Sequence, residues 1–467
     1  MSQPESTDAK SIVREVGMLE RFHIVRQQIG VLGAIIVSGR YTRADGGILD
    51  KAFLYPALEK VIQKHGFLSV HIVGEATPAP AFVRLDTVNL DEVVIFTGAE
   101  LREALEAEVV SKFDASRPLW RVLVLRDGTV VFSFHHAIAD GQSGLAFHQT
   151  LLEALNSLDQ VSSHPEALIS APSEVTLLPP IEKATDLTVS LFTVLYYALN
   201  MLVPAYWTSG YWAWTGYSCP QEAKLTTRMR LMCHTPEATH CILQVCRAHN
   251  TSLTPFIHTL ANVIISEHLA EDPSTSGKYS YIAANIPISL RPLVNAPREA
   301  MCNYVSSLFC HSRLIKRSFS TEKTWLREFP WETASELTKT LKRQQTESLV
   351  PLGMLKFLKS YEGYLKGKFG KKRGGTLQIS NVGKFTVSAG KAEGKANSSR
   401  WILDDVYFAQ SNASTDAAID ISVAGDPAGG IGVCVAWSEG AIDDSYGDAF
   451  FAALKEGLEE VIHHDVA

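Results

Sequence analysis

Cysteine is scarce, with seven residues in a chain of 467. That number is too small, and being odd is ill suited, for a disulfide framework, so free thiols in a reducing compartment are expected. A basic excess is missing as well. Lysine and arginine number 43 against 50 aspartates and glutamates, a formal net charge of −7, whereas a protein built around a nucleic-acid backbone normally carries the opposite sign. Glycine (31) and proline (20) stay near average, which excludes collagen-like and low-complexity chains. No heptad run or internal repeat is present, so coiled coils and solenoids fall away. Met1 to Lys10 has neither the apolar core of a secretory signal nor an arginine-rich import pattern; it reads as a disordered tail on a cytoplasmic protein. With 46% hydrophobic and 20% charged residues, what remains is a globular chain with room for two or three domains.

What is present is a mixture of helix and strand signals in both halves. Phe53 to His65 has the spacing of an amphipathic helix, with Leu54, Leu58, Val61 and Ile62 on one side. Trp120 to Leu125 and Thr129 to Phe134 are β-rich runs joined through Asp127-Gly128, a hairpin signal. A helical pattern begins near Ser143. Asn156 to about Thr185, rich in Ser, Pro and Leu without period, reads as a linker. In the second half a helix starts at Thr254-Pro255, with proline expected at its first position, and Tyr279 to Ile288 reads as a strand. Ala418 to Ala424 and Ile431 to Trp437 flank a glycine-rich turn as a second hairpin, before a helix over Tyr446 to Ile462. Hairpins in both halves favour an α/β (α+β) architecture of two sandwiches over a doubly wound parallel sheet. The expected division is residues 1–185, an apolar crossover over 186–225, and residues 226–467.

Chemistry concentrates in His135-His136-Ala137-Ile138-Ala139-Asp140-Gly141, between a β-run and a helix. A histidine at such a junction is a candidate general base, because its ordinary pKa lies near working pH. Asp140 pairs with a base or ties the loop to a distant arginine, and Gly141 permits a sharp exit into the helix. On spacing alone, two partly buried structural histidines are an equal reading. Zinc is disfavoured, since no third ligand stands at a motif-like spacing. His240-Cys241 with Cys246 and His249 reads as an ordinary helix carrying semi-buried side chains, so no metal is expected.

Phe113-Asp114-Ala115-Ser116-Arg117-Pro118-Leu119-Trp120 followed by Phe132-Ser133-Phe134-His135-His136-Ala137-Ile138-Ala139-Asp140-Gly141-Gln142-Ser143-Gly144 resembles the fungal and yeast alcohol O-acetyltransferase family. That family belongs to the HxxxD acyltransferases, with chloramphenicol acetyltransferase, the plant BAHD enzymes and peptide-synthetase condensation domains. Leu19-Glu20-Arg21-Phe22, then Ile286-Pro287-Ile288-Ser289-Leu290-Arg291-Pro292 with Asn303-Tyr304-Val305, then Ser380-Asn381-Val382-Gly383 are similar to further family elements in the family's order. The resemblance implies two chloramphenicol-acetyltransferase-like domains with the active-site tunnel at their interface. It implies an acyltransferase, most simply an acetyltransferase, that uses acetyl-CoA or another acyl-CoA as co-substrate and holds no permanent cofactor. His136 then stands at the catalytic position, deprotonating an acceptor hydroxyl without an acyl-enzyme. Asp140 is then structural, supported by His135 and Gly141 and paired with Arg291. Asn303, Ser380 and Asn381 become candidates for the tunnel or the oxyanion. Two departures stand out: the plant enzymes' Asp-Phe-Gly-Trp-Gly motif is absent, and Cys302 precedes Asn303 where such relatives often carry glycine. Relatives of this kind tailor secondary metabolites in filamentous fungi and make volatile esters in yeasts.

Two stretches deepen the expectation. No charged residue occurs from Leu187 to Gln221, while Tyr196, Tyr197, Tyr206, Trp207, Tyr211, Trp212, Trp214 and Tyr217 crowd there. A buried crossover helix and loop is the favoured reading; a pocket for an apolar alcohol acceptor and loose membrane contact are the alternatives. Lys356 to Arg373 holds seven basic residues opposed only by Glu362. Lys371, Lys372 and Arg373 are candidates for the phosphates of coenzyme A, against a solvated helix face and loop. A monomer acting on a small-molecule alcohol, with no nucleic-acid partner, is expected. A transferase drawing on a carrier-protein thioester and a non-catalytic binding protein on the same scaffold are the competing readings.

Overall fold

The computed structural model describes residues 12–158, 164–200, 203–315, 328–344, 346–385, 400–411 and 414–464. The polar tail expected over Met1 to Lys10 lies outside the described residues. The molecule is a mixed α/β structure around two large sheets. Among the described residues the first has five strands, in the order Trp401–Gln410, Ile35–Arg43, Thr129–Phe134, Trp120–Val124 and Val94–Phe96. Its centre is the hairpin read from the sequence. Val124 pairs with Val130 across the turn, and Trp120 with Phe134 at the far end. Gly128 adopts a left-handed φ of 83° there, and a Cβ would come within 2.5 Å of the Tyr41 carbonyl oxygen. Glycine is required at that corner twice over. The helices Lys51–Lys64 and Gly141–Asn156 pack together against this sheet. The first is capped by Asp50, whose carboxylate accepts from the amides of Ala52 and Phe53. Leu54, Leu58, Val61 and Ile62 are all buried in one core with Phe132, Phe134, Phe147 and Leu151.

Among the described residues the second sheet has seven strands. Ala213–Trp214, Tyr281–Ser289, Gly375–Lys384, Ala417–Gly425, Ile431–Ser438 and Thr227–His234 follow one another, and Val305–Arg313 pairs with Tyr281–Ser289. The 417–438 hairpin of the sequence reading is present, with Val423 opposite Val433. The pairings of 281–289 with 375–384 and of 375–384 with 417–425 are parallel, so the sheet is mixed. The helices Pro236–Ala248, Leu253–Glu271 and Asp444–His464 contribute Ile242, Phe256, Leu260, Phe450, Leu454 and Leu458 to its core. Pro255 is the third residue of its helix, after the N-cap Ser252, rather than the first. Its missing N–H is harmless at either place, because first-turn amides have no intrahelical acceptor.

The two sheets do not partition at residue 225. Trp401–Gln410, from the second half of the chain, runs antiparallel to Ile35–Arg43 at the edge of the first sheet, with Phe408 opposite Val37. A third apolar cluster then joins the layers, with Ile36, Leu105, Val131, Met229, Ala409 and Cys434 in contact. The crossover also differs from expectation. Leu187 is buried with Ile181, Leu290, Tyr304 and Leu352, but the helix Leu191–Asn200 exposes Leu191, Phe192, Leu195 and Leu199 to solvent. Among the described residues no helix is long and apolar enough to cross a membrane.

Candidate active site

The strand Thr129–Phe134 delivers two histidines at its end, and the following helix is capped by Asp140. His135 points inward. Its Nδ1 accepts from the Ala137 amide at 2.8 Å, and burial, with His136 beside it, pushes its pKa down to about 3. His136 is the more accessible of the two, only partly buried. Its Nδ1 lies 2.9 Å from the Ala139 carbonyl oxygen. A carbonyl only accepts, so Nδ1 carries the hydrogen, and Nε2 is left with the lone pair. Burial first and then Arg26 lower the His136 pKa to about 4, against a smaller pull upward from Asp140. The imidazole is therefore neutral across the physiological range, as a general base must be.

Asp140 does not face His136 as a triad acid. Its Oδ1 accepts from the Ser143 amide and hydroxyl, each at 3.0 Å. Its Oδ2 accepts from Arg291 Nη1 at 2.6 Å and from the Tyr304 amide at 3.1 Å. Arg291 Nη2 donates to Ser143 Oγ and to the Ala300 carbonyl. Burial alone would raise the Asp140 carboxyl, but Arg291 and the surrounding donors bring it below its ordinary value. Ser143 Oγ also meets the Cys302 main chain. The cluster thus fastens the start of the 141–156 helix to the segment around Cys302 and Tyr304. With 2% and 5% side-chain exposure the ion pair is out of reach of water, and removing one partner strands a buried charge. Arg291→Met should lower unfolding free energy by about 3–5 kcal/mol, while adding Asp140→Leu should restore part of it, because an apolar pair replaces an ionic one at little cost. Urea melts of both variants measure this; a double variant less stable than the single one contradicts it.

Gly141 serves space rather than a turn. A Cβ there would lie 2.3 Å from Val382 Cγ1 and 3.1 Å from the Phe408 ring, so it lets the strands carrying Ser380-Asn381-Val382 and Phe408 close on the helix start. The other candidates separate. Asn303 Nδ2 donates to the His136 carbonyl at 2.6 Å, which fixes the main chain at His136. Its Oδ1 is buried and without a partner among the described residues. Ser380 is buried and accepts from Gln410 Nε2 at 3.0 Å, so its own hydroxyl hydrogen remains available. Asn381 is exposed and folds back on the Gly383 amide, with Nδ2 on Thr254. Lys372 and Arg373 are committed elsewhere. Lys372 Nζ donates to the carbonyls of Gly210, Tyr211 and Ala213. Arg373 is buried on those of Tyr217 and Ser414. Of the three, Lys371 alone leaves its side chain in solvent without a hydrogen bond of this kind among the described residues.

One residue stands out that composition and spacing did not single out. His23, buried in the helix Met18–Gln28, stacks on His136 with ring centroids 3.8 Å apart and planes 27° apart. Burial and the neighbouring His136, Arg26 and His135 hold its pKa well below the ordinary value. It follows directly on Leu19-Glu20-Arg21-Phe22, which is the only sequence signal that marked its neighbourhood. Beside this helix lies a cavity of about 1050 Å³, whose wall includes His135, Phe113, Met18, Arg21, Lys112 and Lys359. No group of side chains among the described residues is arranged to hold a metal ion.

A family model described as alcohol acetyltransferase matches residues 90–458. The chain is 24% identical over 465 residues to "Probable alcohol acetyltransferase crmB" of Aspergillus fumigatus, covering 92% of this chain and 96% of that one. It is 24% identical over 422 residues to "Probable alcohol acetyltransferase FCK4" of Fusarium pseudograminearum, covering 84% and 82%. Among solved structures, the TRI3 trichothecene 15-O-acetyltransferase of Fusarium sporotrichioides shares the fold with a TM-score of 0.71 at 13% identity, covering 96% of this chain and 94% of that one. The condensation domain of the Monacolin K polyketide synthase MokA shares it with a TM-score of 0.58 at 14% identity, covering 97% of both chains. These neighbours carry the two-lobed acyltransferase fold.

Proposed function

The chain belongs to the alcohol acetyltransferase family and is an acyltransferase, and from that premise we propose that it moves an acyl group from coenzyme A to the hydroxyl of an apolar acceptor, with His136 as general base. The observation that carries this reading is the Nδ1 contact of His136 with the Ala139 carbonyl, which leaves Nε2 as a neutral acceptor on a fixed ring. His136 Nε2 takes the proton of the acceptor hydroxyl as that oxygen attacks the thioester carbonyl. The tetrahedral intermediate collapses, the carbon–sulfur bond breaks, and Nε2 returns the proton to the departing thiolate. No acyl-enzyme forms, so both substrates meet in one site and positioning supplies much of the rate. Ser380, whose hydroxyl hydrogen is uncommitted, is the candidate donor to the oxyanion.

The cavity suits a long donor with an anionic end. Arg21, Lys112 and Lys359 are cations for phosphate groups, and Met18, Phe113 and Leu355 are apolar wall for what lies between. The phosphate site is thereby assigned to the first part of the basic run and its neighbours instead of to Lys371, Lys372 and Arg373. An assay of free-thiol release with acetyl-CoA and a panel of apolar alcohols and amines tests the reading. Release that depends on an alcohol supports it. No release from free acyl-CoA, with acylation from a carrier-protein thioester, overturns the donor assignment.

A further inference from the structure

An amphipathic helix at the surface of a globular protein normally turns its apolar stripe toward the core. In the helix Leu191–Asn200, Leu191, Leu195 and Leu199 recur every four residues with Phe192 beside them, which places the four on one side. That side faces outward: Leu191 is 79% and Phe192 86% exposed. The chain continues through Trp207, 70% exposed, and Tyr211, also exposed, with no charged group anywhere from Leu187 to Gln221. An apolar surface of this extent on a soluble protein marks an interaction site.

Positive charge is fastened to its flank. Lys372 binds three carbonyls of the 210–213 loop, Arg373 that of Tyr217, and Lys356 Nζ that of Leu187 at 3.3 Å. Main-chain bonds from Gly370 to Pro220 and from Cys219 to Lys371 close the seam. The attached segment keeps Lys356, Lys366 and Lys371 on its exposed side. Its one carboxylate, Glu362, is already paired with Lys366 at 2.6 Å.

We propose that this composite face docks on an anionic phospholipid bilayer, with the aromatic loop and the leucine stripe in the headgroup region and the lysines over the lipid phosphates. Tryptophan and tyrosine favour that layer because each ring has an apolar body and a polar edge. A ten-residue helix extends about 15 Å, roughly half the hydrocarbon thickness, so it lies in the interface without spanning it. A second copy of the chain would bring two lysine flanks against each other, whereas anionic lipid complements them. Lys356 and Lys366 also belong to the wall of the 1050 Å³ cavity, which places the cavity rim at the bilayer edge, where apolar alcohols concentrate. That last consequence rests on the proposed acyl transfer; the docking does not.

Flotation of the full chain with vesicles decides the matter without reference to activity. The protein should float with phosphatidylcholine vesicles containing about 30% phosphatidylserine and do so at least ~ten-fold less with phosphatidylcholine alone or in about 1 M salt, where screening length falls to ~3 Å. Phe192→Glu combined with Trp207→Glu should lower partitioning at least ~ten-fold with an unchanged melting curve, since both side chains are already in solvent. Lys371→Glu should lower it about five-fold or more. The proposal is overturned if the chain stays unbound with the mixed vesicles, if the double variant floats as well as the parent, or if sedimentation shows a dimer that the double variant dissolves.

Discussion

Replacing His136 with alanine should lower kcat by about 10²–10⁴-fold, the usual worth of a positioned general base, while the protein unfolds at nearly the parent temperature. The separation of the two effects follows from where the ring sits. His136 is only partly buried, so truncation removes little packing. The contact that orders the local main chain runs from Asn303 Nδ2 to the His136 carbonyl, and alanine keeps that carbonyl. The helix cap depends on Asp140, Ser143 and Arg291, none of which touches the imidazole. What the variant loses is the lone pair on Nε2, the Nδ1 hydrogen bond to the Ala139 carbonyl and the stack with His23. Thiol release followed beside a thermal melt measures both quantities. Full turnover in a folded variant would sink the assignment of the base, and joint loss of turnover and fold would show that the ring is structural.

Much of the scaffold was legible in the sequence because its signals are local. The hairpin over 120–134 and the hairpin over 417–438 carry their turns between alternating or buried β-runs, and both form. The helix Asp444–His464 contains the stretch marked by Phe450, Leu454 and Leu458. What was not legible depends on partners distant in the chain. No local signal singles out 401–410, and none says that this segment joins the sheet of residues 35–43. A glycine before a helix was read as a need for backbone freedom at Gly141, when the requirement is room for Val382. A basic run makes Lys371, Lys372 and Arg373 candidates for phosphates, against a solvated face, but cannot show that carbonyls of residues 210–217 and 414 hold Lys372 and Arg373. His23 is one histidine among 15, and only the folding of residues 18–28 against the 135–140 loop makes it a neighbour of His136. Composition likewise marks Leu187 to Gln221 as free of charge but does not say which way the leucines of the helix Leu191–Asn200 face.

Acid should unfold this protein well before it titrates His136. Burial, aided by His136 at His135, by Arg26 at His136 and by Lys64 at His65, holds His65, His136, His148 and His258 at about 4 and His135 at about 3. Each is neutral in the fold and takes up a proton once unfolded, with an ordinary pKa near 6.5. The unfolded state therefore binds more protons as pH falls below about 6.5, and stability declines in that direction, fully present above that value and lost as pH approaches about 4. Between about pH 7 and about pH 5 the loss is roughly 2 kcal/mol for each histidine. Five together lose on the order of 10 kcal/mol, which matches the whole stability of an ordinary domain. The hydrogen bonds explain why the fold does not simply admit the protons. His148 lies between the Tyr41 hydroxyl and the Val37 carbonyl, and His65 is bound to Thr150, all of them buried. The acid limb of activity should then coincide with loss of tryptophan fluorescence and helical circular dichroism, in one cooperative step between about pH 6 and about pH 4.5. A smooth decline in rate centred near 6.5, with the fold intact beneath it, would instead mean that His136 titrates as an exposed histidine, and the account of a base held neutral by burial and Arg26 would be wrong.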